Sequence, residues 1–166
     1  MAVVLIGFMG AGKSTLGRRL ADECHLPFVD LDTYIEQQEQ MKISDIFAEK
    51  GERYFRALEH QALNQFVKQN VVIATGGGIV ENTNNIDIIN KNKLNIWVDT
   101  NIETIYNRIV GDKSRPNAVD RSFDDIKELY NSRCSRYNEI AYIKVDSENS
   151  VEDCIDYVMN ILIAEE

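Results

Sequence analysis

The sequence has few of the residues that build disulfide frameworks, zinc centres or membrane spans. Its three cysteines, Cys24, Cys134 and Cys154, are widely spaced and form no C-x-x-C pair, which argues against both a disulfide framework and a zinc site. We therefore expect reduced thiols in a cytoplasmic protein. The longest apolar runs are short, so no membrane-spanning segment is expected. The first residues show neither a basic region nor a cleavable signal pattern.

Histidine is also scarce, and basic residues are fewer than acidic ones. His25 and His60 have no acidic or nucleophilic side chain at catalytic spacing, so we expect both to be structural. The 166 residues include 18 lysines and arginines against 27 aspartates and glutamates, a net charge of −9. Binding to nucleic acid requires a basic surface, so no nucleic-acid partner is expected. An acidic chain that binds a polyanion must concentrate its cations locally.

The strongest positive signal is a phosphate-binding loop near the start of the chain. Residues 7–14 form a G-x-x-x-x-G-K-S pattern that follows an apolar run. A strand ending in such a loop, followed by a helix that begins at Lys13, presents backbone N–H groups to the phosphates of a nucleotide. Lys13 can then reach the β- and γ-phosphates, and the Ser14 hydroxyl can ligate Mg²⁺. The alternative is a glycine-rich turn without a ligand.

Short apolar runs alternate with helical patterns along the chain. We predict strands at 3–6, 27–30, 71–74, 94–98 and 142–145, and helices at 14–23, 33–40, 43–50, 54–68, 84–90, 102–109, 123–141 and 151–164. This alternation predicts a three-layer α/β/α fold around a five-stranded parallel sheet. The length suggests one domain over residues 1–166.

Three local features refine this outline. Ser44 is a candidate N-cap for the helix at 43–50, and Gly51 is a candidate C-terminal glycine for the same helix. Residues 111–122 are polar and lack periodicity, which predicts a mobile loop.

Acidic residues follow two of the predicted strands. Asp30 and Asp32 stand two residues apart, so both can leave the strand end in the same direction. One could support Mg²⁺ through water, and the other could orient or deprotonate an acceptor hydroxyl. A solvated loop is the alternative. Asp99 competes for the metal role, although loop or helix capping suits it better because Asp30 lies nearer the phosphate loop in sequence.

Two further features can be read in more than one way. Arg56 and Glu59 are three residues apart on a predicted helix and can pair. Their pair is either a surface ion pair or an arrangement that holds the guanidinium for a substrate carboxylate. The run Gly76, Gly77 and Gly78 is either a tight turn or a segment whose backbone N–H groups closely approach a ligand, which glycine allows because it has no side chain and tolerates positive φ.

Arginines supply the local positive charge that an acidic nucleotide-binding chain needs. The candidates are Arg108, Arg115, Arg121, Arg133 and Arg136. Arg115 stands in the loop at 111–122 and could swing over the γ-phosphate to neutralise charge during transfer. A solvated surface arginine is the alternative.

Assembled in order, these motifs resemble those of the shikimate kinase family, from residue 3 to about residue 161. The shared motifs are the phosphate loop, Asp30 with Asp32, Gly51-Glu52, Phe55-Arg56 with Glu59, residues 74–78, Arg115-Pro116, and Arg133 with Tyr137. The chain departs from the family at 117–118, where Asn-Ala replaces the usual Leu-Leu. It also lacks an arginine that some members have near residues 146–150.

The resemblance implies a P-loop fold of the nucleoside monophosphate kinase type, with a lid at about 111–122 and substrate-binding helices at about 32–61. It implies transfer of the γ-phosphoryl group of ATP to the 3-hydroxyl of shikimate, a step of chorismate and aromatic amino-acid biosynthesis. The implied cofactor is one Mg²⁺ ion. We expect a cytoplasmic monomer whose partners are shikimate and ATP, with no nucleic acid and no membrane.

The same resemblance implies roles for individual residues. Lys13, Asp32 and Arg115 would be catalytic, with Asp32 facing the shikimate hydroxyls as a candidate base. Ser14 and, through water, Asp30 would hold Mg²⁺. Nucleotide contacts are implied for Gly10, Ala11, Gly12, Lys13, Ser14, Thr15, Arg108 and Arg115. Shikimate contacts are implied for Asp32, Arg56, Gly76, Gly77, Gly78 and Arg133.

Two other functions stay open at this point. A different small-molecule kinase on the same scaffold, acting on gluconate or a nucleoside monophosphate, is disfavoured by the Asp-x-Asp pair and the triple glycine. A nucleotide-binding switch would need Asn-Lys-x-Asp and D-x-x-G to bind guanine nucleotides. Residues 92–95 end in asparagine instead, and no D-x-x-G occurs.

Overall fold

The computed structural model describes residues 1–110 and 121–165. Within these ranges the chain forms five strands and eight α-helices. In chain order they are β1 (Val3–Ile6), α1 (Lys13–Cys24), β2 (Phe28–Asp30), α2 (Leu31–Glu39), α3 (Ile43–Lys50), α4 (Glu52–Phe66), β3 (Val72–Ala74), α5 (Thr83–Lys91), β4 (Leu94–Asp99), α6 (Ile102–Ile109), α7 (Phe123–Ile140), β5 (Ile143–Asp146) and α8 (Val151–Ala164). Arg115 and most of the predicted loop at 111–122 lie outside the described residues.

The five strands form one parallel sheet in the order β2-β3-β1-β4-β5. In the central strand, Leu5 is in register with Ala74 of β3 and with Ile96 of β4. Strands β3 and β2 lie on one side of the central strand β1, and strands β4 and β5, which come later in the chain, lie on the other side. Ligands bind outside the carboxyl ends of strands at such a reversal of strand order.

Alternating side chains of β1 pack on opposite faces of the sheet, as expected for a strand buried on both sides. Val4 and Ile6 join the core beneath α2 to α7, whereas Val3 and Leu5 join the core beneath α1 and α8. Because each face has its own apolar cluster, the sheet is the middle of three layers. The predicted α/β/α fold is confirmed, and none of the described helices is long and apolar enough to cross a membrane.

Every predicted element is present with bounds within two residues of the prediction. Gly51 ends α3 as expected, because its N–H donates to the carbonyls of Ile46 and Phe47 at 3.1 Å. The N-cap prediction for Ser44 is wrong, since α3 begins at Ile43 and Lys42 occupies the cap position. A short 3-10 helix at Ile79–Glu81 was not predicted, because one turn is too brief for a periodic pattern.

Candidate active site

A cavity of about 600 Å³ lies at the carboxyl ends of the first three strands. Ten of the predicted site residues line it: Gly10, Gly12, Lys13, Ser14, Thr15, Asp30, Asp32, Gly76, Gly77 and Arg108. The phosphate loop leads from β1 into the cavity, the Asp30–Asp32 segment follows β2, and the glycine run follows β3. The parallel sheet thus brings three separate sequence motifs to one edge.

The phosphate loop is shaped by left-handed backbone at Gly10 and Gly12, with φ of 77° and 99°. Such φ values are accessible to glycine at little cost, and they turn the chain from β1 directly into α1. Gly12 is the N-cap of α1, and no side chain caps that helix. The first N–H groups of α1 are therefore available to a phosphate, where the helix dipole also favours an anion.

The Lys13 ammonium lies against its own loop. Its Nζ donates to the carbonyl oxygens of Gly7 at 2.7 Å and Phe8 at 2.8 Å, and the residue is buried. These bonds hold the charge at the wall of the cavity, next to the N-terminus of α1.

Asp30 and Ser14 contact each other directly. The Ser14 hydroxyl donates to Asp30 Oδ2, while Asp30 Oδ1 accepts from the N–H of Thr33 at 3.1 Å and caps α2. A hydroxyl beside a carboxylate is a donor set that suits Mg²⁺, which prefers oxygen ligands and retains several waters. No cluster of three or more His, Cys, Asp or Glu able to hold a metal occurs within 1–110 and 121–165.

Two acidic side chains converge on Gly76. A Cβ atom placed on Gly76 would lie 2.9 Å from Asp32 Oδ1 and 3.0 Å from Glu59 Oε2. Both oxygens are buried, and neither has a hydrogen-bond partner among the described residues. Buried acceptors in folded proteins are rarely left without donors, so both oxygens are available to a donor group that enters the cleft.

The environment of these acids disfavours their charged forms. Burial, followed by the charges of Glu59 and Asp30, raises the pKa of Asp32 to about 7, although Lys13 and Arg56 oppose the shift. Burial also raises the pKa of Glu59, with Arg56 again acting in the opposite direction. A carboxyl group that titrates near neutral pH is suited to proton transfer.

Arg56 is fixed by two carboxylates of its own helix. It donates to Glu59 Oε1 at 2.9 Å and to Glu52 Oε1 at 3.2 Å. Glu59 is fully buried and the Arg56 side chain is 14% exposed, so the pair is not the surface ion pair considered as an alternative. The guanidinium also lies 5.3 Å from the ring centroid of Phe55.

Arg133 reaches the same glycine run from α7. Its Nε donates to Glu81 Oε1 at 2.8 Å, and its buried Nη1 has no partner within the described part of the chain. A Cβ atom on Gly77 would lie 3.5 Å from that Nη1. One turn further along α7, the Tyr137 hydroxyl donates to the Gly77 carbonyl. Sequence reasoning missed Glu81, whose one signal is an acid shortly after the glycine run.

Space, and not backbone conformation, explains the triple glycine. Positive φ, which glycine tolerates, is not used at Gly76, Gly77 or Gly78, and Gly78 has φ of −90°. The close approach of their backbone to a ligand stays a prediction. A Cβ atom on Gly78 would overlap both terminal nitrogens of Arg56, and one on Gly77 would lie 2.9 Å from the Met9 backbone nitrogen. The run is therefore surrounded on three sides by site residues.

Asp99 has a different role from both roles considered for it. Tyr130 donates to its two carboxylate oxygens at 2.9 and 3.1 Å, and Lys144 lies 3.5 Å away. Asp99 does not line the cavity, and Asn101 provides the N-cap of α6. Asp99 therefore joins β4 to α7 and β5.

Of the remaining candidates, Arg108 lies at the phosphate loop, whereas the histidines have structural contacts. Arg108 donates to the Gly10 carbonyl at 2.9 Å and so lies beside the phosphate loop. His25 ends α1, and His60 bonds Asn85 at 2.7 Å, so both have structural contacts. All three cysteines are free thiols, as expected.

The shikimate kinase family model matches residues 9–163 of the chain. The chain belongs to the shikimate kinase family. The shikimate kinase of Macrococcus caseolyticus is 57% identical over all 166 residues and 99% of its own length. That of Staphylococcus haemolyticus is 45% identical over 96% of this chain and 93% of its own.

A solved shikimate kinase shares the fold as well as the sequence. The structure from Acinetobacter baumannii in complex with shikimate matches 99% of this chain and 94% of its own, with a TM-score of 0.93 and 28% identity. Membership confirms the prediction of an ATP-using kinase with a P-loop fold and a place in aromatic amino-acid biosynthesis. It rejects the two rival functions, a kinase for another acceptor and a nucleotide-binding switch.

Proposed function

We propose that this cavity, together with Arg56, Gly78 and Arg133, which adjoin its glycine run without lining the cavity itself, binds Mg²⁺-ATP and shikimate side by side. The γ-phosphoryl group is then transferred to the 3-hydroxyl of shikimate. The observation that carries the proposal is the convergence on one glycine run of two buried acid oxygens and two arginines. Shikimate has one carboxylate and three hydroxyls, so it offers a partner to both kinds of group. The adjoining phosphate loop supplies the place for the nucleotide.

The nucleotide half is built from the phosphate loop and Arg108. Backbone N–H groups over residues 10–15 would hold the phosphates, and Lys13 would exchange its loop carbonyls for the β- and γ-phosphates. Arg108, anchored on the Gly10 carbonyl, would flank the adenine. We assign Arg115, which lies outside the described residues, to the phosphates as the lid arginine.

Ser14 and Asp30 would hold the Mg²⁺ ion, Asp30 through water. The ion, when bound, neutralises charge on the β- and γ-phosphates. The contact between the two side chains supports this assignment, because it places both oxygens at the same end of α1.

The acceptor half is built on the glycine run. Arg56 and Arg133 would bind the shikimate carboxylate, and the backbone of Gly76, Gly77 and Gly78 would contact the ring. Two arginines on one small carboxylate fix the ring orientation, so that a single hydroxyl meets the γ-phosphate in line. Asp32 Oδ1, which has no partner among the described residues, would then accept a hydrogen bond from that hydroxyl and take its proton during transfer.

We further propose that residues 1–166 act as one kinase domain, a cytoplasmic monomer without nucleic-acid or membrane partners. Its substrate-binding helices would span about 32–61 and its lid about 111–122.

The direct test is acceptor-dependent turnover. Purified protein with ATP and Mg²⁺ should release ADP when shikimate is added, and ³¹P NMR should show a single monoester at the 3-position. Gluconate and nucleoside monophosphates should not support turnover, and chelation of Mg²⁺ should stop it reversibly. ADP release that is equal with and without shikimate, or phosphorylation at another hydroxyl, would reject the proposal.

The glycine run offers a sharper test of the carboxylate site. In Gly78→Ala the new methyl meets the flexible end of the Arg56 side chain, so the protein should fold normally. KM for shikimate should rise by about tenfold, because roughly one charge-assisted hydrogen bond from Arg56 is lost. KM for ATP should not change. Steady-state kinetics and thermal melting provide both measurements.

Gly77→Ala is the matched comparison. Its methyl would meet the Met9 backbone nitrogen instead of a flexible side chain, so this variant should lose thermal stability. If Gly78→Ala lowered the melting temperature as much as Gly77→Ala, or left KM for shikimate unchanged, the proposed position of Arg56 would be wrong.

A further inference from the structure

Arg133 lies between two acidic side chains of unequal exposure. On the cleft side is Glu59, which is fully buried. Burial raises the pKa of Glu59, and the charge of Arg133 partly opposes that increase. At the rim is Glu81, 36% exposed, whose Oε1 accepts from Arg133 Nε at 2.8 Å. The Arg133 side chain itself is only 3% exposed, so its orientation depends on these acids, on Tyr137 and on the Phe8 ring, whose centroid lies 5.7 Å from the guanidinium carbon.

The contact with Glu81 fixes the Nε side of the guanidinium at the rim. With Nε bonded at the rim, Nη1 is left next to Gly77 without a partner among the described residues. The charges of Glu59 and Arg133 also attract each other, and Glu59 Oε2 lacks a partner in the described ranges. If Arg133 turned to bond Glu59, the edge that meets a substrate carboxylate would be lost.

The charge of Glu81 is maintained by its own surroundings. Although partial burial opposes it, the bond from Arg133 and the charges of Arg133 and Arg136 lower the pKa of Glu81. Arg136 lies one turn after Arg133 on α7, with its Nη1 3.6 Å from Glu81 Oε2. Glu81 therefore presents one oxygen to Arg133 and the other to a solvent-facing arginine.

We propose that Glu81 is a positioning residue for shikimate binding, acting through Arg133. It holds Nε at the rim and thereby keeps Nη1 directed at the substrate carboxylate. The proposal rests on the proposed function above, because it assigns a substrate carboxylate to Arg133. The 3-10 helix at Ile79–Glu81 provides the link, because it carries Glu81 back over the glycine run.

The test compares Glu81→Ala, Glu81→Gln and Arg136→Ala with the wild type. Glu81→Ala should raise KM for shikimate, and its Kd in calorimetric titration without nucleotide, by about tenfold, as for one charge-assisted hydrogen bond. The kcat and the KM for ATP should stay within about twofold, because the reacting atoms are untouched. Glu81→Gln should recover much of the affinity, because its amide oxygen still accepts from Nε. Arg136→Ala should cause a smaller loss than Glu81→Ala, because Glu81 keeps its bond to Arg133 Nε.

A double-variant comparison isolates the path through Arg133. In an Arg133→Met background, Glu81→Ala should change the Kd for shikimate by less than about twofold, because the group that it positions is gone. Wild-type affinity in Glu81→Ala, an equal loss in Arg136→Ala, or independent effects in the double variant would each overturn the proposal. A wild type without shikimate-dependent turnover would instead reject the proposed function.

Discussion

Replacing Asp32 with asparagine should lower kcat by about 10²–10⁴-fold, the usual range for loss of a general base, while it raises thermal stability. The activity falls because the amide cannot take the proton of the acceptor hydroxyl. The stability rises because Asp32 Oδ1 is buried without a described partner, beside the charges of Glu59 and Asp30. Coupled ADP-release kinetics and thermal melting measure the two effects.

The stability gain should depend on pH in a defined direction. The pKa of Asp32 is raised from 3.8 to about 7 in the folded protein, so its contribution to stability is fully present below pH 3.8 and is lost progressively as pH rises from there through about 7. The melting temperature of Asp32→Asn should therefore exceed that of the wild type most above pH 7 and least in mild acid. Asp87→Asn, at an exposed site on α5, should show neither effect.

The same titration should appear in the kinetics of the wild type. Its kcat/KM for shikimate should increase as pH rises through about 7, because the ionised carboxylate is the form that accepts a proton. Asp32→Asn should lack this limb of the profile. An asparagine variant with wild-type kcat would exclude a role in catalysis, and one that melts at a lower temperature would contradict the buried-charge argument.

Replacing Arg56 with alanine should raise KM for shikimate by about 100-fold, because two charge-assisted hydrogen bonds to the carboxylate are lost and each tenfold corresponds to about 1.4 kcal/mol. KM for ATP should stay within about twofold, since Arg56 contacts the glycine run and not the phosphate loop. The melting temperature should also fall, because fully buried Glu59 loses its partner at 2.9 Å.

Two variants make this result specific. Arg53→Ala, at an exposed position on the same helix, should leave both KM values unchanged. Arg56→Lys should give an intermediate KM, because lysine keeps the charge and loses the planar fork. Equal increases in the KM for shikimate and for ATP in Arg56→Ala would count against a carboxylate site and in favour of a general disturbance of the cleft.

Features that depend on neighbouring residues were predictable from the sequence. The phosphate loop is a contiguous pattern whose backbone geometry follows from its glycines, and the structure places it between β1 and α1. The Arg56–Glu59 pair follows from helical spacing, and its 2.9 Å bond confirms it. The order of strands and helices follows from apolar periodicity, which is why element bounds agree within two residues.

Features that depend on distant residues were not predictable in the same way. Arg133 and Glu81 are 52 residues apart in sequence, and no local pattern relates an acid in a one-turn helix to an arginine on α7. The sequence left the glycine run as either a tight turn or a close approach to a ligand, and only the structure shows that a Cβ there would meet Arg56, Asp32 and Glu59. Crowding of this kind exists only once β3, α2 and α4 have packed together.

By itself the sequence determined the class of this protein: a parallel α/β sheet with a phosphate loop, acids at a strand end and the ordered motifs of a shikimate kinase. Only the tertiary structure determined the pKa values and the orientations of the side chains in those motifs. The raised pKa of Asp32 and the orientations of Arg56 and Arg133 result from burial and from charges that other elements bring near. Local patterns report which groups are present, whereas desolvation and electrostatic coupling depend on distances through space.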